Sequence, residues 1–190
     1  MSDRQSAMPG AHFDGHVRLR DAGLRGMITL RGDLDAGMIR KAAMDVTGQV
    51  FPKPRMANCT NDTGLCWMSP DELLVLVPHD EAATALAYLR AALAGEHHLA
   101  VDVSDARAVF TLEGEASALR ETLAKLTPAD MRDAALPIGQ LRRTRLAQVP
   151  VAFWFQSESD AHLICFRSVA DYVFGLLQNA ARPGSEIGFF

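Results

Sequence analysis

The sequence predicts an α+β fold written twice, each copy running strand–helix–strand–strand–helix–strand. Three observations predict it. Val109-Phe-Thr-Leu-Glu-Gly-Glu115 restates Met27-Ile-Thr-Leu-Arg-Gly-Asp33: two apolar residues, Thr, Leu, a charge, Gly and an acid. Each copy is followed by an apolar stripe at helical spacing, Leu34, Met38 and Ala42 after the first and Leu119, Leu123 and Leu126 after the second. Leu73–Val77 is apolar at every position, the pattern of a central strand covered on both faces.

Taken in order, residues 1–14 carry Ser, Gln, Pro9 and Gly10 without periodicity and read as a loose leader. His16–Arg20 alternates polar and apolar like an edge strand, and Asp21–Gly26 is a turn-rich joint. In the first unit Met27–Arg31 is a strand and 34–46 a helix, with Asp33 and Asp35 at its positive start. Pro52, Pro54 and the polar run Asn58–Gly64 make a long irregular connection. Leu65–Ser69 and Glu72–Val77 are strands around a turn that Pro70 pre-sets. Ala82, Leu86, Leu89 and Leu93 stripe a helix that stops at Gly95, and His98–Val103 returns as a strand.

The second unit repeats the order. Ala108–Glu113 is a strand, a helix ends before Pro128, and 128–141 is irregular. Arg142–Gln156 is extended and interrupted at Pro150, where a ladder donor is missing. Ala161–Phe166 is a strand. Val169, Tyr172, Val173, Leu176, Leu177 and Ala180 give a helical stripe, with Ser168 and Asp171 spaced as a capping box. Pro183-Gly184 ends that helix, and Glu186–Phe190 is expected to be the last strand. The order in each unit is that of the ferredoxin-like plait. The expected division is an N-terminal extension over 1–24, a first βαββαβ unit over 25–104 and a second over 105–190, the halves forming one compact domain.

A chain of 190 residues, 48% apolar, is long enough for a core without a metal or disulfide staple. With 19 basic against 23 acidic side chains, the net charge of −4 leaves no electrostatic footprint for nucleic acid. No stretch approaches the run of about 18 apolar residues that a membrane span requires. Cys59, Cys66 and Cys165 are an odd number at scattered spacings, which favours a reducing cytoplasm.

The candidates for chemistry are few. His97 and His98 are adjacent on a strand and point to opposite faces, and His12 with His16 is the other pair, so no metal site is assigned. Asp102, Asp105 and Arg107 sit at the joint between the units, where an Asp–Arg structural pair is favoured over an acid–base site. Glu113 and Glu115 suit a helix start. Cys66 and Cys165 lie in apolar strands and read as core thiols. Ser104 and Ser168 lack a nucleophile-elbow context, and the glycines fit no phosphate cradle. Catalytic, cofactor-binding and metal-binding residues are therefore assigned to none. Arg142, Arg143 and Arg145, with Arg132 near, form the one basic concentration, and Trp154 follows between Phe153 and Phe155. Arg142, Arg143, Arg145 and Trp154 are the candidate partner-facing residues, since arginine suits an acidic partner surface. For the aromatic run, an interface seam and a core seam fit equally well.

Gly26–Asp33, Cys66–Pro78, Val101–Ala108, Arg142–Gln148 and Cys165–Tyr172 together resemble the gamma subunit of heterotetrameric bacterial sarcosine oxidase. The likeness spans almost everything after residue 15. It implies an accessory, non-catalytic subunit of a four-chain oxidoreductase that demethylates sarcosine to glycine, hydrogen peroxide and formaldehyde, the last captured as methylenetetrahydrofolate when folate is present. It implies no cofactor in this chain, with FAD, FMN, NAD and tetrahydrofolate on the other subunits. The partners it implies are the alpha, beta and delta subunits, most directly the large folate-type alpha subunit, with neither nucleic acid nor membrane involved. It also implies the duplicated folate-binding fold of aminomethyltransferases, without their third domain. The lysine–small–cysteine–aromatic motif of related folate-dependent repair proteins is absent from this sequence. Two rival readings remain. One is a freestanding folate-binding or one-carbon-transfer protein using Asp102 or Asp105, and the other a plait-type regulatory module that binds a small ligand.

Overall fold

The computed structural model describes residues 4–190. In chain order its strands are β1 (His12–Asp14), β2 (Arg18–Asp21), β3 (Gly26–Gly32), β4 (Ala57–Thr60), β5 (Thr63–Ser69) and β6 (Glu72–Val77). They continue with β7 (His98–Asp102), β8 (Arg107–Glu113), β9 (Arg142–Leu146), β10 (Val149–Ser157) and β11 (Asp160–Phe166). The helices are α1 (Gly37–Thr47), α2 (Ala82–Ala92), α3 (Ala116–Ala124) and α4 (Ala170–Ala180). Two compact units result: Leu24–Asp105, and the residues up to Gly23 together with Ala106–Phe190.

The unit Leu24–Asp105 has an antiparallel sheet ordered β4-β5-β6-β3-β7. The order of its last four strands, with α1 between β3 and β4 and α2 between β6 and β7, is that of the ferredoxin-like plait. One face supplies Ile28, Leu30, Leu65, Leu73, Val75 and Ala100 to a core shared with Ile39 and Ala43 of α1 and Leu89 of α2. β6 is the middle strand, and both of its faces are buried from Leu73 to Val77, as its unbroken apolar run predicts. Helix α1 begins at Gly37, later than Leu34, because the Asp33 carboxylate accepts the Asp35 N–H at 3.0 Å and holds 33–36 in a turn. It ends at Gly48, whose left-handed φ of 66° lets its N–H reach the Met44 carbonyl.

The other unit has a sheet ordered β1-β2-β8-β11-β10-β9, all pairs antiparallel. Here β8, β11 and β10 stand as β3, β6 and β5 do in the first unit. The place that β7 fills there is filled here by β2.

Residues 186–190 are not a strand. Ile187 and Phe189 are exposed, so no sheet face rewards pairing there. The ladder position beside β8 goes instead to Arg18–Asp21. His12–Asp14, expected to be part of a loose leader, and Arg18–Asp21 are consequently strands of this sheet; residues 1–3 of the expected leader lie outside the described ones. The alternation that suggested an edge strand explains the choice: Val17 and Leu19 are fully buried, whereas Arg18 is exposed.

Arg142–Gln156 is two strands joined as a hairpin. Ala147, at φ 48°, makes the reversal, and Pro150 stands within β10 opposite Arg145. The capping box at Ser168 does not form. Arg167–Val169 is a single 3₁₀ turn leading into α4, and no side chain caps that helix. The core of this unit gathers Leu19, Phe110, Phe153, Phe155, Leu163, Leu119, Leu123, Val173 and Leu177.

Candidate functional site

The β9 edge carries the basic residues singled out in the sequence, and the structure divides them by face. Paired residues of a ladder share a face, so Arg142, opposite Phe153, turns toward the helices. Its guanidinium donates to the Ala135 carbonyl at 2.8 Å. Arg143 and Arg145 point the other way and are exposed. Arg132 is held by the Asp130 carboxylate, whose pKa that arginine draws down to about 2. Only 143 and 145 of the arginine set thus present a shared exposed face on an edge strand. Trp154 is 1% exposed, stacks on His162 with centroids 5.3 Å apart, and donates its indole N–H to Gln156 at 3.1 Å. Its ring belongs to the interior, which decides the aromatic run in favour of a core seam.

Behind this edge sits an arginine the sequence reading missed. Arg120 of α3 is 7% exposed, yet fully engaged. It donates to the carbonyls of Met131 at 2.6 Å and Leu136 at 3.2 Å, pairs with Asp133 at 2.5 Å, and lies 4.5 Å over the Phe155 ring. A single guanidinium therefore ties down the irregular connection 128–141. Burying such a cation is tolerable only when its donors are satisfied in this way.

The next residue anchors the chain's last segment. The Glu121 carboxylate accepts the backbone N–H of Ile187 at 2.6 Å and of Gly188 at 2.7 Å, and pairs with Lys125 at 3.1 Å. The Ile187 N–H, the Gly188 N–H and Lys125 outweigh its desolvation and bring its pKa down to about 2. Lys125 in turn donates to the carbonyls of Ala180 and Ser185 at 3.1 and 2.8 Å. Gly188 adopts a left-handed φ of 72°, which lets two successive N–H groups converge on one carboxylate. The result holds Ile187 and Phe189 out toward solvent, at 73% and 77% exposure. The sequence signal was available in Leu119-Arg-Glu-Thr-Leu123, a helix turn with two charges where the stripe leaves no outward room.

The remaining candidates are scattered. His12 and His98 each contact a carbonyl two residues away, and His16 bridges the Thr122 hydroxyl and the Arg182 carbonyl. Among the described residues no group of three His, Cys, Asp or Glu side chains converges as metal ligands would. Asp102 accepts the N–H and the hydroxyl of Ser104, at 2.9 and 2.5 Å, and Ser104 accepts the Met27 N–H at 2.9 Å. That makes Asp102 and Ser104 a turn lock. Arg107, on β8, lies 5.2 Å over the Phe166 ring. The Cys165 thiol is buried and pushed up to about 12 by desolvation. A surface cleft of about 400 Å³ is lined by Asp45, Asp80, Glu81, Thr84 and Tyr88. There Asp45 is occupied by Lys41 at 2.5 Å and by the Tyr88 hydroxyl at 2.8 Å, both exposed.

A tandem pair of plaits, each with two helices on one sheet face, defines the class: the duplicated fold found in aminomethyltransferases. The glycine cleavage system aminomethyltransferase T of Bartonella henselae shares it, with a TM-score of 0.58 at 15% identity over 84% of this chain and 44% of that one. The model of the "Sarcosine oxidase, gamma subunit family" matches residues 31–183. The sarcosine oxidase subunit gamma of an Arthrobacter species is 31% identical over 159 residues, 83% of this chain and 76% of the relative. A chain of the heterotetrameric sarcosine oxidase from Corynebacterium sp. U-96, solved with pyrrole 2-carboxylate, superimposes with a TM-score of 0.77 at 26% identity, over 90% of this chain and 87% of that one. The chain belongs to the sarcosine oxidase gamma subunit family.

Proposed function

We propose that this chain is an accessory subunit of a four-chain sarcosine oxidase and contributes docking surface and stability, the redox chemistry being done elsewhere in the assembly. The observation that carries the reading is the family match over 31–183, together with the likeness to a chain solved within a heterotetramer. In this reading FAD, FMN, NAD and tetrahydrofolate reside on the alpha, beta and delta subunits. The closest contact is with the large alpha subunit. The assembly works in the cytoplasm, with neither nucleic acid nor membrane as a partner. Among the described residues no helix is long and apolar enough to cross a bilayer.

Two surfaces support a docking role. Arg143 and Arg145 are positioned on an edge strand to meet a carboxylate-bearing surface, where arginine's planar donors are most effective. Leu99 and Val101, at 51% and 37% exposure on the edge strand β7, offer apolar area of the kind that partners cover. A stable interface buries about 1,200 Å² or more in total.

The test is reconstitution. The other three chains, prepared with and without this one, are given sarcosine and oxygen, and peroxide formation is followed over time and temperature. The reading expects this chain alone to form no peroxide, and its addition to prolong the activity of the others. Peroxide formed by the isolated chain, or a trio indifferent to its addition, would overturn it.

A further inference from the structure

The thiols of Cys59 and Cys66 lie 3.7 Å apart. They meet diagonally across the β4–β5 ladder, where Cys59 stands opposite Gly64 and Cys66 opposite Ala57. Side chains alternate along a strand, so both sulfurs project from the same face. The small partners keep the diagonal open. A Cβ on Gly64 would come within 2.4 Å of the Cys59 sulfur, so the glycine is what gives that thiol its position.

The two thiols differ in access. Cys59 is half-buried on a four-residue edge strand, while Cys66 is fully buried one strand further in. The hydrogen bond with Cys59, and then burial, hold the Cys66 thiol well above its ordinary pKa. Either thiol can donate the S–H of the pair.

We propose that Cys59 and Cys66 form a peroxide-responsive dithiol, with Cys59 oxidised first and Cys66 resolving it to a cross-strand disulfide. In the first step the Cys59 sulfur attacks one peroxide oxygen. The O–O bond breaks, the thiol proton leaves with the departing oxygen as water, and Cys59 becomes a sulfenic acid. In the second, the Cys66 sulfur attacks the Cys59 sulfur. The S–O bond breaks, and the hydroxide leaves with the Cys66 proton as a second water. The dithiol loses two electrons and the peroxide gains them.

A disulfide sulfur pair is about 2.05 Å apart, so the two atoms must close by about 1.6 Å from their 3.7 Å separation. β4 can supply that movement, because it is bonded to a neighbour on one side only and turns away at Asn61, at φ 53°. Hydrogen peroxide is the oxidant by chemical class. The inference does not depend on which subunit releases it.

The experiment uses the full chain as purified, exposed to graded hydrogen peroxide without sarcosine. The reaction is quenched with catalase, alkylated under denaturing conditions and mapped by non-reducing peptide mass analysis. The expected result is one intramolecular Cys59–Cys66 disulfide, a mass loss of two hydrogens, and Cys165 alkylated throughout. In Cys66→Ser, Cys59 should instead be trapped by dimedone as a sulfenic acid. The proposal is overturned if Cys59 runs on to sulfinic acid with Cys66 still alkylatable, if both stay reduced while Cys165 oxidises, or if Cys59 pairs between chains. Should the serine variant not fold, the map of the unsubstituted chain decides alone. Because peroxide is added directly, failure here leaves the subunit reading untouched, and a failed reconstitution leaves this one standing.

Discussion

Leu19 stands directly opposite Leu112 in the β2–β8 ladder, and both side chains are fully buried. The pairing joins the start of the chain to the opening strand of the second unit. Its consequence is that residues 105–190 alone lack the strand that completes their sheet. Truncating Leu19 should therefore cost as much as truncating a central core residue. We expect Leu19→Ala to lower stability by about 2–5 kcal/mol. Leu24→Ala, at a position 37% exposed, should stay within about 0.5 kcal/mol. Urea titration followed by tryptophan fluorescence compares the two, and equal midpoints would show that β2 is not part of the core.

Gly15 reports on the same lacing at shorter range. A Cβ there would sit 2.0 Å from the Ala181 carbonyl oxygen and 2.6 Å from the Phe13 ring, and the Ala181 oxygen already accepts the His16 N–H at 3.1 Å. Backbone cannot yield as a flexible side chain does. Gly15→Ala should destabilise by about 1–3 kcal/mol through overpacking, measured as a fall in the thermal midpoint. An unchanged midpoint would mean that the approach of 15 to 181 is loose.

Glu121 makes the clasp on residues 187–188 dependent on pH. Its folded pKa of about 2 lies below the ordinary 4.5. A depressed carboxylate pKa contributes stability that is fully present above the unfolded value and lost as pH falls through the folded one. The contribution should hold from neutrality to about pH 4.5 and decline between there and about pH 2. Glu121→Gln should flatten that part of the pH–stability curve. Amide exchange at Ile187 and Gly188 is the local readout, and protection that persists in the glutamine variant would contradict the assignment.

Arg120 should govern the order of the connection 128–141. Without its guanidinium the Met131 and Leu136 carbonyls lose their donor and Phe155 its stacking partner. Arg120→Met keeps much of the volume, removes the donors and should cost about 1–3 kcal/mol. Limited proteolysis should find new cleavage between 128 and 141, and an unaltered digestion pattern would count against this role.

Charge reversal tests the β9 edge. Arg143→Glu with Arg145→Glu should leave the fold unchanged, because both side chains are exposed, and should slow association with the partner chains. Association rates at two salt concentrations check it. The variant should lose the salt dependence of the native chain, and identical rates would remove this edge from the docking surface.

Much of the fold was legible because its signals are local. The repeated Met27–Asp33 and Val109–Glu115 stretches, the unbroken apolar run Leu73–Val77 and the stripe Val173–Leu177 each reflect one element facing one core. What failed was non-local. Ile187-Gly-Phe-Phe190 has strand-like composition, yet the ladder position beside β8 was already taken by Arg18–Asp21, from the other end of the sequence. Composition cannot show such competition. Pro150 was read as a break within one strand, whereas the reversal falls at Ala147, a residue with no turn preference that is held at positive φ by the β9–β10 pairing. The arginines were found by their clustering, but only the register divides Arg142 from Arg143 and Arg145. Arg120 and Glu121 were missed because each draws partners from beyond its own helix, and the Cys59–Cys66 pair because Asn58–Gly64 reads as an irregular connection, whereas β4 and β5 pair across it.

The most direct measurement is the native mass of the complex formed when this chain is co-expressed with the three other chains of the proposed four-chain oxidase. The account predicts a single species holding one copy of each of the four chains, and its collapse to smaller species when this chain is omitted. A complete three-chain enzyme alongside this chain as a separate monomer would contradict it.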